Sequence, residues 1–220
     1  MENMNRPLII TLDGNIGVGK STLLNLIGQM LPYVEIVLEP VNEWEKLVSD
    51  DGKSLLSHFY EDSVRWGYTF QNCAILTRIL ETRKVLSSTK KKVIITERSV
   101  LTDLHVFAKM NYDIGNINSL EWSLYKKWFD GYSNEIPIDA AIYVTTSVET
   151  ACGRIKMRGR KGEGGIPFEY LKKLDEYHHN WLDNSDMPVL KVSTEENVFK
   201  HENVEKVKNF INKLLDNKNN

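Results

Sequence analysis

Gly14-Asn15-Ile16-Gly17-Val18-Gly19-Lys20-Ser21 is a complete phosphate-binding loop of the form G-x-x-x-x-G-K-[ST]. An apolar segment at 8–12 precedes the loop and is typical of a buried strand, and the segment that follows has the pattern of a helix. In this setting the glycines let backbone N–H groups point at an anion, and the helix N-terminus adds partial positive charge. The loop and Thr22 are therefore predicted to bind a nucleoside triphosphate, with Lys20 on its terminal phosphates and Ser21 on Mg²⁺.

Apolar and amphipathic segments alternate along the chain. Strands are predicted at 8–12, 34–38, 93–96, 140–145 and 189–192. Helices are predicted at 20–30, 62–87, 102–109, 118–133, 148–158, 167–183 and 204–215. This alternation is typical of an α/β protein, so we expect the P-loop kinase fold: a parallel sheet of about five strands with helices on both faces. A single domain would then span 1–220, with an arginine-rich lid at about 158–166 and a frayed tail at 216–220.

Composition and charge argue against several classes of protein. The chain has 220 residues, of which 41% are hydrophobic and 26% are charged, as in an ordinary globular domain. A net charge of −2 gives no general attraction to nucleic acid or to an anionic membrane, and no apolar run could cross a bilayer. Cys73 and Cys152 lack metal-ligand spacing and are typical of a reducing compartment. We therefore expect a cytoplasmic protein that binds neither nucleic acid nor membrane.

Ionisable side chains follow the second and third predicted strands. Ligands of an open parallel sheet bind beyond the carboxyl ends of its strands, so these residues are candidates for a site. Glu39 could accept the proton of an attacking hydroxyl, and Trp44 could form an apolar wall for a sugar or base. Glu97 stands where many ATPases have a magnesium-binding carboxylate, and Arg98 could pair with Glu39 or with phosphate oxygens. The alternatives are a surface acid beside Pro40 and a salt-bridged pair that caps a helix.

Polar residues occur on one face of the long helix predicted at 62–87. Gln71, Ala74 and Arg78 recur at three- and four-residue spacing, so they share this face. Because buried polar groups need partners, a nucleobase edge could be the partner of Gln71, and Asp103 could be the ionic partner of Arg78. The alternative is that Gln71 and Arg78 both face solvent.

Three arginines lead into the glycine-rich segment at 161–165. Arg154, Arg158 and Arg160 stand at the end of a predicted helix, and they suit a lid that closes over phosphates and offsets their charge. Glu163 is an acid inside this basic segment, and contact with a substrate hydroxyl would explain it. The alternative is a solvated surface loop.

Four blocks of this sequence resemble, in order and spacing, the deoxynucleoside kinase family. They are Glu39-Pro40-Val41-Asn42-Glu43-Trp44, Phe70-Gln71, Glu97-Arg98-Ser99, and Arg158-Gly159-Arg160 with Gly165-Ile166-Pro167-Phe168-Glu169-Tyr170-Leu171. The resemblance runs from Leu8 to about Lys208. It implies transfer of the γ-phosphoryl group of ATP, or of another nucleoside triphosphate, to the 5′-hydroxyl of a deoxynucleoside. It also implies a requirement for Mg²⁺ and a homodimer.

The resemblance implies roles for the charged residues of the site. Glu39 matches the base that takes the proton of the 5′-hydroxyl, and Arg98 matches the arginine beside the 5′-hydroxyl and the phosphates. Glu97 matches the carboxylate that organises Mg²⁺. The lid arginines of the family are matched by Arg154, Arg158 and Arg160.

The resemblance also implies how the deoxynucleoside is bound. Gln71 matches the amide that reads the nucleobase edge, and Phe70 lines the base pocket with Trp44. Tyr60 and Glu163 match the pair that holds the 3′-hydroxyl. The pair found in deoxycytidine and deoxyguanosine kinases is matched by Arg78 and Asp103, with the small Ala74 leaving room for the ring. Deoxycytidine and purine deoxynucleosides are therefore expected to be preferred over thymidine.

Two other functions are compatible with a phosphate-binding loop. A thymidylate-type monophosphate kinase shares the fold, but it needs basic residues for the phosphate of its acceptor, whereas Glu39 and Glu163 favour an uncharged acceptor. A nucleotide-dependent switch that reads guanine uses an Asn-Lys-x-Asp motif, but here Asn212-Lys213 is followed by Leu214-Leu215. The sequence therefore favours a deoxynucleoside kinase of nucleotide salvage.

Overall fold

A five-stranded parallel sheet forms the centre of the protein, seen in a computed structural model that describes residues 6–160, 165–196 and 200–219. The strands are β1 (Leu8–Asp13), β2 (Val34–Val37), β3 (Val93–Glu97), β4 (Ala140–Thr145) and β5 (Val189–Ser193). Their order across the sheet is β2-β3-β1-β4-β5, and every neighbouring pair is parallel. The predicted α/β fold with about five parallel strands is confirmed.

Helices cover both faces of this sheet. The longer ones are α1 (Lys20–Met30), α4 (Ser63–Ser88), α7 (Ser119–Tyr132), α8 (Val148–Arg158), α9 (Phe168–Leu182) and α10 (His201–Asn219). The shorter ones are α2 (Val41–Lys46), α3 (Leu55–Glu61), α5 (Val100–Thr102), α6 (Lys109–Asp113) and a 3₁₀ turn at Ser133–Glu135. Ile10 of β1 packs with Leu24 of α1 and Ile211 of α10, whereas its neighbour Ile9 packs with Ile75 of α4. Successive side chains of β1 therefore enter opposite layers of the core.

The segments that frame the carboxyl edge of the sheet differ from the sequence prediction. Helices α2 and α3 are absent from the prediction because fewer than two helical turns show no clear periodicity. The helix predicted at 102–109 is instead a π-helix, Asp103–Ala108, between α5 and α6. Such wide turns are frequent at functional sites, because they turn side chains away from the regular helical face.

The C-terminal helix includes most of the segment 216–220, which the sequence predicted to be a frayed tail. Helix α10 continues to Asn219, and its residues Leu214 and Leu215 pack against the core. Lys218 Nζ donates a hydrogen bond of 2.8 Å to the carbonyl oxygen of Arg6, which ties the last turn to the beginning of β1. Within the described ranges, no helix is both long and apolar enough to cross a membrane.

His178 of α9 is fully buried against β4, and it gives the fold a defined acid sensitivity. Its Nδ1 lies 2.7 Å from the carbonyl oxygen of Leu174, and its ring stacks on Tyr143 with centroids 6.4 Å apart. Burial lowers the pKa of His178 to about 3. In the unfolded chain a histidine titrates near 6.5, so between these two values the unfolded state binds the additional proton. This contribution to stability is complete above about pH 6.5 and is lost as the pH falls toward 3.

We expect a His178→Gln variant to lose stability less steeply than the wild type between pH 7.5 and pH 5. The difference in slope should be on the order of 1 kcal/mol per pH unit below about pH 6. Glutamine keeps a donor for the carbonyl oxygen of Leu174, so the comparison isolates the titration of the ring. Urea unfolding at several pH values measures the slopes, and identical slopes would show that His178 does not cause the acid sensitivity.

Candidate active site

One cavity of about 610 Å³ lies beyond the carboxyl ends of β1, β2 and β3. It is lined by residues from the phosphate-binding loop, from α2 to α4, from the turn after β3, and from α8 and α9. The predicted site residues that line it are Ile16, Gly17, Gly19, Lys20, Ser21, Thr22, Glu39, Trp44, Tyr60, Phe70, Gln71, Ala74, Arg78, Glu97, Arg98, Asp103, Arg154, Arg158 and Arg160. Ile16 and Arg160, which are 144 positions apart in the sequence, therefore contribute to a single space.

The phosphate-binding loop packs directly against β4 and α8. Gly14 and Gly17 have positive φ angles of 144° and 83°, a region that favours glycine. A Cβ atom on Gly14 would lie 2.3 Å from the carbonyl oxygen of Val144, and one on Gly17 would lie 2.5 Å from that of Ala151. Any side chain at either position would therefore displace the loop from the rest of the site.

Three predicted nucleotide contacts, at Gly14, Asn15 and Val18, do not line the cavity. The Asn15 side chain is buried, and its Nδ2 donates a hydrogen bond of 2.8 Å to the carbonyl oxygen of Leu171 in α9. The Val18 side chain belongs to the core. Asn15 and Val18 support the loop from inside the protein, because their side chains point away from the cavity.

The ammonium group of Lys20, the first residue of α1, lies inside the phosphate-binding loop. Its Nζ donates hydrogen bonds to the carbonyl oxygens of Gly14, at 3.0 Å, and Asn15, at 2.7 Å. Burial, together with the positive charge of Arg98, lowers the pKa of Lys20 to about 7. Two neutral carbonyl groups do not fully offset the free-energy cost of burying this ammonium group. An anion bound in the loop would therefore be strongly attracted to Lys20.

Ser21 and Glu97 meet at the edge of the cavity. The register of β1 and β3 pairs Leu12 with Glu97, and Ser21 Oγ donates a hydrogen bond of 2.9 Å to Glu97 Oε1. The described residues contain no group of three or more His, Cys, Asp or Glu side chains that could hold a metal by themselves. One hydroxyl and one carboxylate nevertheless fit Mg²⁺, because this ion takes much of its octahedral shell from phosphate oxygens and water.

Glu39 lies between two arginines. Its Oε2 accepts a hydrogen bond of 2.5 Å from Arg98 Nη1, and its Oε1 accepts one of 3.0 Å from Arg78 Nη2. Burial alone would raise the pKa of Glu39, but the charges of Arg98 and Arg78 hold it at about 2. The carboxylate is therefore ionised at neutral pH, and the alternative of a solvated surface acid is excluded.

Arg78 uses all its nitrogens inside the protein. Its Nε and Nη2 donate to the two carboxylate oxygens of Asp103 at 2.7 and 3.1 Å, so the expected ion pair is present. Its Nη1 donates to the carbonyl oxygen of Glu97 at 2.8 Å, and Nη2 is shared with Glu39. Although burial opposes it, the charges of Asp103 and Glu39 raise the pKa of Arg78. The guanidinium is thus a fixed, permanently charged part of the cavity wall.

Gln71 is buried without a hydrogen-bond partner. Only 1% of the residue is exposed, and neither Oε1 nor Nε2 has a partner within the described part of the chain. An unmatched buried amide costs about 1–3 kcal/mol for each group, so it is rare without a reason. Since Gln71 lines the cavity, its amide can donate to and accept from a bound ligand. This burial excludes the alternative that Gln71 and Arg78 face solvent.

Aromatic rings form the wall around Gln71. Trp44 and Phe70 pack edge to face with centroids 5.2 Å apart, and Phe59 stacks on Phe70 at 4.5 Å. The sequence analysis missed several lining residues, namely Leu38, Val41, Asn42, Leu56, Phe59, Phe107 and Tyr170. Val41, Asn42 and Tyr170 stand in the blocks that resemble the family, but no role was predicted for them. For Leu56 and Phe59 the signal was their three-residue spacing, which α3 is too short to make decisive.

Arg98 has a left-handed backbone, with a φ of 60°, and it is the one non-glycine residue with positive φ in the described ranges. This conformation is costly for a residue with a side chain. Consecutive residues of a strand point to opposite faces, yet Glu97 and Arg98 both line the cavity because the chain turns at Arg98. The guanidinium of Arg98 also lies over the ring of Phe107, 4.8 Å from its centroid.

The structure describes only part of the predicted lid at 158–166, because residues 161–164 lie outside the described ranges. Arg154, Arg158 and Arg160 all line the cavity. Arg154 Nη2 donates a hydrogen bond of 2.6 Å to the carbonyl oxygen of Thr194. Helix α8 ends at Arg158, and the next residue, Gly159, has a φ of 62°. Glu163 lies outside the described residues.

Comparison with known proteins agrees with this geometry. The family model described as deoxynucleoside kinase matches residues 10–216. The chain is 35% identical to human deoxycytidine kinase, in an alignment that covers 93% of this chain and 91% of the relative. It is 31% identical to a mitochondrial deoxyguanosine kinase of Xenopus laevis, over 85% of this chain and 81% of the relative. The chain belongs to the deoxynucleoside kinase family, whose members transfer a phosphoryl group to a hydroxyl group of a deoxynucleoside.

Proposed function

We propose that this kinase transfers the γ-phosphoryl group of ATP, or of another nucleoside triphosphate, to the 5′-hydroxyl of deoxycytidine and purine deoxynucleosides in preference to thymidine. The observation that carries the proposal is Gln71, whose buried amide has no partner among the described residues and lies in the cavity that also contains Lys20 of the phosphate-binding loop. A nucleobase edge supplies both a donor and an acceptor, so it would satisfy this amide.

Glu39 is proposed to take the proton of the 5′-hydroxyl. In this step the 5′-oxygen forms a bond to the γ-phosphorus, the bond between that phosphorus and the leaving oxygen breaks, and the proton passes to Glu39. A carboxylate with a pKa of about 2 is a weak base, so the proton should leave late, when the new bond already makes the hydroxyl acidic. Arg98 donates to the same carboxylate and orients it, since the two atoms are 2.5 Å apart.

Positive charge in the cavity is proposed to offset the charge on the transferring oxygens. Lys20, Arg98, Arg158 and Arg160 all line this space. In a loose transition state such preorganised charges contribute more than any strong base. Ser21 and Glu97 are proposed to hold Mg²⁺ together with the phosphates, and this ion would supply further charge neutralisation. Tyr60, which lines the same cavity, is proposed to contact the 3′-hydroxyl together with Glu163.

The base preference is proposed to come from Arg78 and Asp103. Their ion pair is buried, with Arg78 4% exposed, and it borders the cavity next to Gln71. A rigid charged pair occupies the room that a 5-methyl group would need, whereas Ala74 leaves space for the ring itself. A thymidylate-type activity is not favoured, because the ionised carboxylate of Glu39 lines the cavity and would repel the phosphate of a nucleotide acceptor.

The test is a panel of initial rates with deoxycytidine, deoxyadenosine, deoxyguanosine, thymidine and cytidine, each with ATP and with UTP. Deoxycytidine monophosphate and thymidylate serve as nucleotide acceptors in parallel. We expect turnover with the deoxynucleosides, led by deoxycytidine or a purine, and negligible turnover with the nucleotides. A preference for thymidine would refute the assignment of Arg78 and Asp103, and a preference for a nucleotide acceptor would refute the proposal.

We further propose a cytoplasmic enzyme, because Cys73 and Cys152 are both free thiols, as is usual in a reducing compartment.

A homodimer is also proposed, because two helices in contact with each other, α4 and α7, expose apolar side chains. Leu76 and Leu80 of α4 are 53% and 54% exposed, and they lie one helical turn apart. On α7, Leu120, Leu124 and Trp128 form a second exposed stripe with four-residue spacing. Exposed apolar residues at helical spacing on two neighbouring helices are typical of an interface, and two-fold dimers are the commonest assembly.

We expect the wild type to sediment as a dimer at micromolar concentration, and the double variant Leu80→Glu, Leu124→Glu to sediment as a monomer. Two buried carboxylates per subunit would face each other across a two-fold interface without partners. Val48→Glu is the matched control, since Val48 is also exposed, at 57%, but lies outside α4 and α7. A monomeric wild type would contradict the proposal.

A further inference from the structure

Glu195, just after β5, binds the first turn of α8 with both of its carboxylate oxygens. Oε2 accepts hydrogen bonds of 2.5 Å from Thr146 Oγ1 and from the backbone N–H of Ser147. Oε1 accepts hydrogen bonds from Ser147 Oγ, at 2.8 Å, and Thr150 Oγ1, at 2.7 Å. These hydrogen bonds lower the pKa of Glu195 to about 2, so the carboxylate stays ionised throughout the working range of an enzyme.

The neighbouring residue Thr194 is fixed to three other elements. Its N–H donates to the carbonyl oxygen of Thr145 at 2.9 Å, and its Oγ1 donates to that of Val18, in the phosphate-binding loop, at 2.7 Å. Its own carbonyl oxygen accepts the hydrogen bond from Arg154, one turn beyond Thr150 on α8. Two successive turns of α8 therefore form hydrogen bonds with Thr194 and Glu195. Thr194 also forms a hydrogen bond with the phosphate-binding loop.

The sheet order indicates which substrate lies on this side of the cavity. The aromatic wall and Gln71 belong to the elements next to β2 and β3, and the phosphate-binding loop follows the central strand β1. A donor whose terminal phosphate points toward the aromatic wall must extend the other way, across the ends of β4 and β5. Arg154 lines the cavity on that side. The donor would thus pass next to the two-point contact between α8 and Thr194–Glu195.

We propose that Glu195 is a positioning residue for the phosphate donor: it holds the segment after β5 on α8 and thereby fixes Arg154 beside the phosphate-binding loop. This inference rests on the proposed transfer from a nucleoside triphosphate. Glu195 itself does not line the cavity. Its effect reaches the donor through Thr194 and Arg154, since Arg154 Nη1 also lies 3.4 Å from the carbonyl oxygen of Val18.

The test is the kinetics of Glu195→Ala. We expect the KM for ATP to rise about tenfold, the cost of roughly one hydrogen bond to a charged group, while kcat and the KM for deoxycytidine change less than about twofold. Glu195→Gln should restore most of the donor affinity, because its carboxamide oxygen can accept from Thr146 and Ser147 N–H. Its NH₂ group can donate to the hydroxyls of Ser147 and Thr150. Glu195→Asp is one methylene shorter and should fall between the two.

A matched control separates positioning from helix capping. Asn118 caps α7 by accepting from the N–H groups of Leu120 and Glu121, and it does not line the cavity. Asn118→Ala should lower the melting temperature without changing the KM for ATP. A uniform change of all kinetic constants in Glu195→Ala would indicate a structural role only and would overturn the inference.

An Arg154→Ala variant separates the positioning role of Glu195 from the contact of the phosphate donor with Arg154. If Arg154→Ala raises the KM for ATP and Glu195→Ala does not, the inference about Glu195 is wrong and the proposed function stands. If neither variant changes the KM for ATP, both the positioning role and the donor contact proposed for this wall of the cavity are wrong.

Discussion

A Glu39→Gln variant should lose about 10²-fold or more in kcat, while its affinity for deoxynucleosides stays within a few-fold of the wild type. Glutamine has the same shape and can still accept a hydrogen bond from Arg98 or Arg78 through its oxygen. It cannot take a proton, and its NH₂ group would face a second guanidinium that offers only donors. The loss should therefore appear in turnover, since the carboxylate acts while the bond to phosphorus forms.

Rapid-quench measurement of the first turnover, together with binding of deoxycytidine followed by tryptophan fluorescence, separates these two effects. Glu43→Gln is the matched control, because Glu43 lies four residues further on, in α2, and its carboxylate is exposed and paired with Lys46. It should be fully active. Near-normal kcat in Glu39→Gln would show that another group receives the proton.

Replacing both members of the buried ion pair, as Arg78→Met with Asp103→Ala, should raise the ratio of thymidine to deoxycytidine activity about tenfold or more. The double variant removes the rigid charged wall without leaving a buried charge unpaired. Either single variant should lose about 3–5 kcal/mol of unfolding free energy, because the remaining charge has no solvent and only part of its partners. The measurements are kcat/KM for the two substrates and urea unfolding of all three variants.

The contacts of Arg78 add a second expectation for the double variant. Arg78 also donates to Glu39 and to the carbonyl oxygen of Glu97, so its removal should lower kcat with every deoxynucleoside. It should also raise the pKa of Glu39, since one of the two cations beside it is lost. The change in base preference is therefore read from the ratio of two substrates and not from either rate.

An exposed ion pair on the same helix provides the control. Arg83 of α4 is paired with Glu135, and both side chains are about two-fifths exposed. Arg83→Met with Glu135→Ala should change unfolding free energy by less than about 1 kcal/mol and leave the substrate ratio unchanged. An unchanged ratio in the Arg78, Asp103 double variant as well would show that the ion pair does not determine the base preference.

Local sequence was sufficient for the framework of this kinase. The phosphate-binding loop is a continuous motif, and the buried strands are short apolar runs, so both are encoded by neighbouring residues. The convergence of Lys20, Glu39, Glu97 and Arg98 was also predictable, because the carboxyl ends of parallel strands meet at one edge of a sheet. Their proposed roles remain predictions.

Only the tertiary structure decided which partners these side chains have. The periodicity of α4 predicted that Arg78 shares a face with Gln71. The hydrogen bond from Arg78 to Glu39, however, depends on how α4 crosses the sheet. Phe107 of the π-helix lines the cavity and lies beneath the guanidinium of Arg98, a contact between separate elements. Sequence patterns tell which face of an element is apolar, but they do not tell which residue lies opposite.

The loop itself shows the same division between local pattern and tertiary contact. Sequence marked every residue of Gly14 to Ser21 as a nucleotide contact, yet the side chain of Asn15 is bonded to α9 and that of Val18 is in the core. The contact of Thr194 with Val18 joins residues 176 positions apart, and no local pattern contains it. Short-range patterns determined the elements of this protein, whereas long-range packing, which depends on all elements at once, determined the hydrogen-bond network of its site.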